Sequence, residues 1–385
     1  MRIGIIPSVK TSHTIRRLTD VGKARGHDVR LIHPGTVSIL LRSEKSDLFV
    51  KNTRPRQIDA IIPRLESGAS QLMLAVVRQF EQLGTFSINT SSAIAVAHDK
   101  LRTGQVLARN MLPIPDSSWV LHQSEVPKAI EKLGGAPIVI KTISGSQGKG
   151  VLLAESDKVA KAMIEALQIA GHAVILQKFI KESAGQDIRA FVVGDQVVAS
   201  MRRIAAGDDF RSNLHKGGTA EAVELDEHTK NVAVRAVHAV GLRVAGVDLI
   251  ESDAGPLVIE VNASPGLQGI EAATGIDVAS AIYSYLEEEV NFPDFDFKEQ
   301  MSLGRGYSVL QIAIHEASPY RDRTLSEIQF EDKGIQLLRI ARGKLTIPFP
   351  HDEEVLRLGD ILLLFGKRLD LMTLRQETPA QIAAS

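Results

Sequence analysis

Between Val244 and Asn262 an apolar run carrying Asp248 is followed by Glu251, Ser252, Asp253, Ala254, Gly255 and Pro256, and then by a second apolar run, Leu257 to Val261. Two strand-forming runs joined by turn residues read as a β-hairpin. A hairpin centred near Ala254 sets Asp248 opposite Glu260. Because strand side chains alternate, Glu260 and Asn262 then share its face, while Val247, Leu249, Ile259 and Val261 take the other. Opposed carboxylates about 5 Å apart repel unless a cation or a proton lies between them. Two acids and an amide suit Mg²⁺, which keeps a few carboxylate oxygens and fills its shell with water and phosphate oxygens. The other reading is a slipped register in which each acid faces solvent independently.

Lys141 ends an apolar strand, and Ser144, Gly145, Ser146, Gln147, Gly148, Lys149 and Gly150 lead straight into the next strand at Val151. Neither a P-loop nor a dinucleotide fingerprint fits, since both need a helix after the glycines. A strand-loop-strand turn can instead fold over a triphosphate, with backbone N–H groups near the phosphates and the strand lysine beside them. Glycine-rich hairpins are also commonly plain turns. Arg202 and Arg203, followed by Asp209 to Gly218, gather donors in what reads as a flexible loop. Fixed guanidinium groups there would stabilise charge on a transferring phosphoryl; a solvated basic loop is the alternative. The eleven histidines are scattered, so His215 and His351 read as structural or exposed rather than metal-bound.

These residues need a scaffold, and 385 residues with 44% hydrophobic and 24% charged content can bury two to four domain cores. The first segment, 1–95, alternates short apolar runs (Ile3 to Ile6, Val29 to Ile32, Ala60 to Ile62) with helix-like stretches (Thr14 to Arg25, Gln71 to Leu83), the pattern of a parallel α/β sheet. From 96 to 290 the reading is α+β. A helix follows Asp99, strands lie at Pro137 to Thr142, Val151 to Leu153, Ala173 to Phe179 and Arg189 to Val193, and a helix runs to Ala170. Pro293, alternating Phe and Asp, and two glycines mark a linker at 291–306. The remaining 307–385 reads as a small α/β or α+β domain, with strands at Val309 to Ile314, Ile335 to Ile340 and Ile361 to Phe365.

A net charge of −1 and 4% aromatics argue against nucleic acid as a partner. The absence of cysteine excludes thiolate metal sites and fits a reducing compartment. No apolar run approaches the length of a signal-peptide core or membrane span, so a cytoplasmic protein without a membrane partner is expected. The first sixty residues nevertheless hold 12 Lys and Arg against 5 Asp and Glu. A solvated basic face explains this; attraction of an anionic ligand is the sharper reading.

Taken together, Lys100, Lys141 with its SGSQGKG loop, Gln177 to Ile180, Asp187, FRSNLHKGG at 210–218, GVDLI at 246–250 and EVNASPG at 260–266 resemble the RimK-type ATP-grasp ligases over about residues 1–290. The resemblance implies a pre-ATP-grasp domain at 1–95 and a two-subdomain ATP-grasp catalytic domain at 96–290. By the same resemblance, Lys100 and Lys141 contact nucleotide phosphates, the backbone of Lys178 and Phe179 meets the adenine edge, and Asp187 helps hold the nucleotide. Arg211, Ser212 and Asn213 line the ATP site, with Arg211 the catalytic candidate, and Asp248, Glu260 and Asn262 hold two Mg²⁺ or Mn²⁺ ions. An acid is more often expected at position 178 in this family. The implied reaction activates a carboxylate as an acyl phosphate and joins it to the amine of L-glutamate, the acceptor being an anionic protein or peptide. Another amino acid, a small-molecule acceptor, or a nucleotide-sensing regulator without turnover are the alternatives. Residues 305–375 are similar to the C-terminal ligand-binding subdomain of potassium-conductance regulators, which implies a regulatory role and a homo-oligomer.

Overall fold

The computed structural model describes residues 1–8, 12–43, 46–66, 71–142, 150–207, 210, 217–291, 306–343, 345–348 and 350–377. The chain forms two compact units, Met1–Pro293 and Asp294–Ser385.

The first unit begins with a parallel sheet in the spatial order Asp28–Leu31, Arg2–Pro7, Ala60–Arg64, Phe86–Ser87. Its central strands are buried on both faces, which is why Ile3 to Ile6 and Ala60 to Ile62 are continuous apolar runs instead of alternating ones. The helix His13–Ala24, capped by the Ser12 hydroxyl, lies against the helix Val278–Asn291. Gly22 permits that approach, since a Cβ there would stand 2.3 Å from the Tyr283 hydroxyl.

Two antiparallel sheets follow. The smaller has the order Ser117–Val120, Val174–Lys178, Ile138–Thr142, Val151–Ala154. Ile138, Ile140, Val174 and Leu176 pack with Ala160 and Ile164 of the helix Asp157–Ile169, so the period of two turns Lys141 to the opposite face. The larger sheet has the order Thr219–Ala222, Gln196–Ile204, Gln186–Val193, Val244–Ser252, Gly255–Asn262. The helix Glu227–Val240, capped by Asp226 and closed by left-handed Gly241, covers its apolar face.

Residues on both sides of position 95 share one core: Ile6, Leu65 and Leu74 cluster with Ile188, Val247 and Val261. Buried Asn89 reinforces the junction. Its amide nitrogen donates to the Val244 and Ala263 carbonyls at 2.7 and 3.1 Å, and its oxygen accepts from Arg243 N and Val244 N at 2.9 and 3.1 Å. All four side-chain positions are thereby satisfied, by backbone at the start of one hairpin strand and just past the end of the other.

The second unit holds an antiparallel sheet in the order Tyr307–Ala313, Ile361–Lys367, Ile335–Arg342, Leu345–Pro348, with the helix Arg368–Glu377. Antiparallel pairing throughout selects α+β between the two sequence readings of this segment. Among the described residues no helix is long and apolar enough to cross a membrane.

Candidate active site

The hairpin places Asp248 and Glu260 as direct cross-strand partners, with Gly246 opposite Asn262. A bulge produces this register. Near the turn the pairs are Ser252 with Gly255 and Leu249 with Val258, a progression that would set Asp248 opposite Ile259. One extra residue, Ile259, shifts the pairing so that Asp248 meets Glu260. Val258, instead of the expected Ile259, therefore joins Val247, Leu249 and Val261 in the core.

Asp248 is buried and held from the neighbouring strand by Arg189, whose Nε and Nη2 each donate at 2.7 Å to a separate carboxylate oxygen. Arg203 adds a third contact at 2.8 Å. Burial opposes the Asp248 charge, but the two guanidinium groups outweigh it and hold the carboxyl down at about 2. Arg203 also grips Asp187 in a bidentate pair at 2.6 and 2.5 Å, so both carboxylate oxygens of Asp187 are shared with an arginine. Arg189 was not singled out from the sequence. The available signal was its spacing: two residues beyond Asp187 in one strand, it shares that acid's face.

Arg202 and Arg203 do not act together in a loop. Both lie in the strand Gln196–Ile204 and point to opposite faces, Arg202 pairing with Glu251 at 2.6 Å and Arg203 with the two buried acids. Strand alternation separates neighbours that composition alone groups as one basic patch.

Glu260 differs from Asp248. It is exposed and has no hydrogen-bond or ion-pair partner among the described residues. Surrounding protein crowds its carboxyl, and with the facing Asp248 charge this raises its pKa above the ordinary value; Arg189, Lys141 and Lys100 pull the other way. Such a group favours a proton or a cation beside it.

Both expected phosphate lysines come to this cluster. Lys100 is the first residue of the helix Lys100–Arg109, whose N-cap is Asp99, and its Nζ donates to the Thr142 carbonyl at 3.1 Å. Burial lowers the pKa of Lys100, against the pull of Glu260. Lys141 is lowered to about 8, by burial first and also by Lys100, with Glu260 and Asp248 opposing. The helix Lys100–Arg109 and the smaller sheet thus each offer one crowded cation to the acids of the larger sheet.

At the other end of the expected nucleotide site, the Lys178 N–H already donates to the Asp116 carbonyl at 2.9 Å, and the Lys178 side chain is exposed. Phe179 makes an edge contact with Phe210, ring centroids 6.3 Å apart. Arg211, Ser212 and Asn213 lie outside the described residues, as does the loop from Ile143 to Lys149.

The donor set fits a divalent cation that shares its shell with a phosphate ligand, and not a closed protein cage. Among the described residues no group of three His, Cys, Asp or Glu is placed to hold a metal. The trio instead offers an arginine-clamped Asp248, an unpartnered Glu260, and Asn262, whose Oδ1 accepts only from Ser264 N at 2.8 Å among the described residues. Part of the N-terminal basic excess is engaged within the molecule: Arg17 pairs with Glu271 and Asp277, Arg25 with Glu287, Arg30 with Asp28 and Arg54 with Asp47.

Comparison with known proteins identifies the family and the fold. Residues 97–286 match the family described as RimK-like ATP-grasp domain, 1–94 the RimK PreATP-grasp domain and 309–378 the TrkA-C domain. A protein of Rhodopirellula baltica named "Probable alpha-L-glutamate ligase" is 42% identical over 367 residues, 95% of this chain and 91% of that one. A Picosynechococcus protein of the same name is 46% identical over 288 residues, 75% of this chain and 96% of its own length. Among solved structures, the ATP-grasp ligase PsnB complexed with a minimal precursor is similar with a TM-score of 0.60 at 25% identity, covering 74% of this chain and 98% of that one. The macrocyclase MdnC from Microcystis aeruginosa, bound with precursor peptide MdnA, has the same fold, with a TM-score of 0.58 at 16% identity over 75% of this chain and 100% of that one.

Proposed function

The chain belongs to the RimK ATP-grasp family of ATP-dependent alpha-L-glutamate ligases, and from that premise we propose that it adds L-glutamate to the C-terminal carboxylate of a protein or peptide. The observation that carries this reading is the meeting of Lys100 and Lys141 with the Asp248–Glu260 pair, in which Asp248 is clamped by arginine and Glu260 has no hydrogen-bond or ion-pair partner among the described residues. The two lysines hold the phosphates of ATP, and Asp187, fixed by Arg203, lies alongside. Lys178 and Phe179 bound the adenine, and Arg211, Ser212 and Asn213 complete the nucleotide site. Two Mg²⁺ or Mn²⁺ ions, held by Asp248, Glu260 and Asn262, supply charge neutralisation to phosphate oxygens when bound. Arg189 and Arg203 keep Asp248 ionised and oriented towards them.

In the reaction an acceptor carboxylate oxygen attacks the γ-phosphorus, the bond to the β–γ bridging oxygen breaks, and ADP leaves. The amine nitrogen of L-glutamate then attacks the acyl carbon, loses a proton, and displaces phosphate to leave an amide. The protein contributes positioning and fixed charge to both steps. A growing oligoglutamate or the C-terminus of a ribosomal protein is an acceptor of the proposed kind, and exposed basic residues such as Arg56 would draw an anionic one inward. The cluster is compatible with a cytoplasmic enzyme that assembles through its C-terminal unit.

The test is ADP and phosphate release by the full chain with magnesium, L-glutamate and candidate carboxylates, with hydroxylamine to trap the acyl phosphate. Glutamate-dependent ADP release with a trapped hydroxamate is expected. Release with another amino acid but not with glutamate would overturn the amine assignment.

A further inference from the structure

Arg64 is the last residue of the parallel strand Ala60–Arg64 and only 9% exposed. Among the described residues its guanidinium donates one hydrogen bond, from Nη2 to the Pro265 carbonyl at 2.6 Å. No carboxylate among the described residues forms an ion pair with it, and its acidic neighbour Glu66 is exposed. Arg17, Arg25, Arg189, Arg203 and Arg342 each hold a carboxylate. A buried guanidinium without a counter-ion is costly unless a ligand supplies one. Burial lowers Arg64 to about 10, which leaves it protonated at neutral pH.

Its position matters as much as its charge. The carboxyl ends of parallel strands are where open α/β sheets receive ligands. Pro265 lies three residues beyond Asn262, and Gly246 makes room for it, since a Cβ on Gly246 would stand 2.9 Å from Pro265 Cβ. Arg64 is thereby tied to the segment that follows the carboxylate row. In the same segment Ser264 Oγ is buried without a hydrogen-bond partner. The other N–H groups of Arg64 have no partner among the described residues and are not among the sealed polar atoms, so they keep some access to solvent.

We infer that Arg64 anchors a substrate carboxylate, its unused N–H groups making forked hydrogen bonds to a carboxylate of L-glutamate or of the acceptor and holding it beside Asp248 and Glu260. This rests on the ligase reading and adds to it the residue that reads a substrate's charge. Arg64 is then a binding residue contributed by the parallel sheet, opposite in role to the lysines that face phosphate. A purely structural Arg64 would only tether the Pro265 turn.

The experiment is equilibrium binding of L-glutamate, and separately of tetraglutamate, to the full chain carrying magnesium and a non-hydrolysable ATP analogue, alongside ADP release. Arg64→Lys keeps a donor for Pro265 but loses the planar fork. It is expected to weaken one of the two probes at least tenfold with unchanged affinity for the ATP analogue and an unchanged melting temperature. Loss for L-glutamate assigns the amine substrate, and loss for tetraglutamate the acceptor. Ser264→Ala, which leaves Arg64 in place, should weaken the same probe several-fold and covers the case in which the first variant does not fold. Equal affinities of wild type and both variants, or binding of neither probe by the wild type, overturns the inference. A wild type that binds the probes but releases no ADP overturns the ligase reading alone.

Discussion

Asp248 and Glu260 face each other across two antiparallel strands, yet only Asp248 is clamped by arginine, with Arg189 at 2.7 Å on both carboxylate oxygens. The pair is therefore unequal. One acid is fixed in its ionised form, and the other is left to respond to a cation. Glu260→Gln keeps the shape and removes the responding charge. It is expected to lower kcat for ADP formation by about 100-fold or more, in the range seen when one preorganised charge-stabilising group is lost. The melting temperature should hold or rise, since a repulsion is relieved. Magnesium titration of ADP release checks both, and wild-type kcat at ordinary magnesium would remove Glu260 from the site.

Arg189→Met exposes the opposite dependence. It strips Asp248 of its main partner inside the protein, and breaking a buried ion pair from one side costs about 3 kcal/mol. Adding Asp248→Asn should recover part of that loss, because the uncompensated charge is then gone. For wild type the sign follows from the depressed carboxyl: the Asp248 contribution is complete above the ordinary aspartate range and is lost as pH falls towards about 2. Acid denaturation of Asp248→Asn should lack that component.

If Lys141, lowered to about 8, holds a phosphate as proposed, it sets an alkaline limit for ATP binding. As pH rises through that value in the free protein the ammonium loses its proton, so kcat/KM for ATP should fall. Lys141→Arg stays charged and should flatten the alkaline limb, even at reduced activity. An unchanged limb in that variant would assign it to another group.

Asn89→Ala removes four hydrogen bonds that no other described side chain replaces, leaving buried backbone groups of Arg243, Val244 and Ala263 unsatisfied. Each such group costs about 1–3 kcal/mol, and the melting temperature should fall by roughly 5 °C or more. Activity should fall with it, because these groups flank the two strands that carry Asp248 and Glu260.

Truncation after Pro293 removes the second compact unit and leaves every described member of the lysine–carboxylate cluster in place. The Picosynechococcus relative, 96% of whose length is matched by only 75% of this chain, is consistent with chemistry confined to the first unit. ADP release should persist in the fragment, with assembly state or effector response altered. Sedimentation and ADP release measured together check this, and loss of turnover in a folded fragment would place part of the active site in the tail.

The parallel sheet at the N-terminus was legible because strands buried on both faces need unbroken apolar runs, and Ile3 to Ile6 and Ala60 to Ile62 provide them. The opposition of Asp248 and Glu260 was legible from alternation and a turn, although the sequence reading centred the hairpin half a residue away from its true turn. The bulge at Ile259 restores the register, and no periodicity announces it. Spacing could set Arg189 on the face of Asp187 but could not pair Arg189 and Arg203 with Asp248, which lies 59 and 45 residues further along and meets them only through strand order. Arg64 and Asn89 were silent for the same reason: each acts on backbone more than 150 residues away. Local pattern thus determined which elements form and which side chains share a face. Which charges neutralise one another was decided by the stacking of strands in space, since electrostatic pairing depends on distance through the fold and not along the chain.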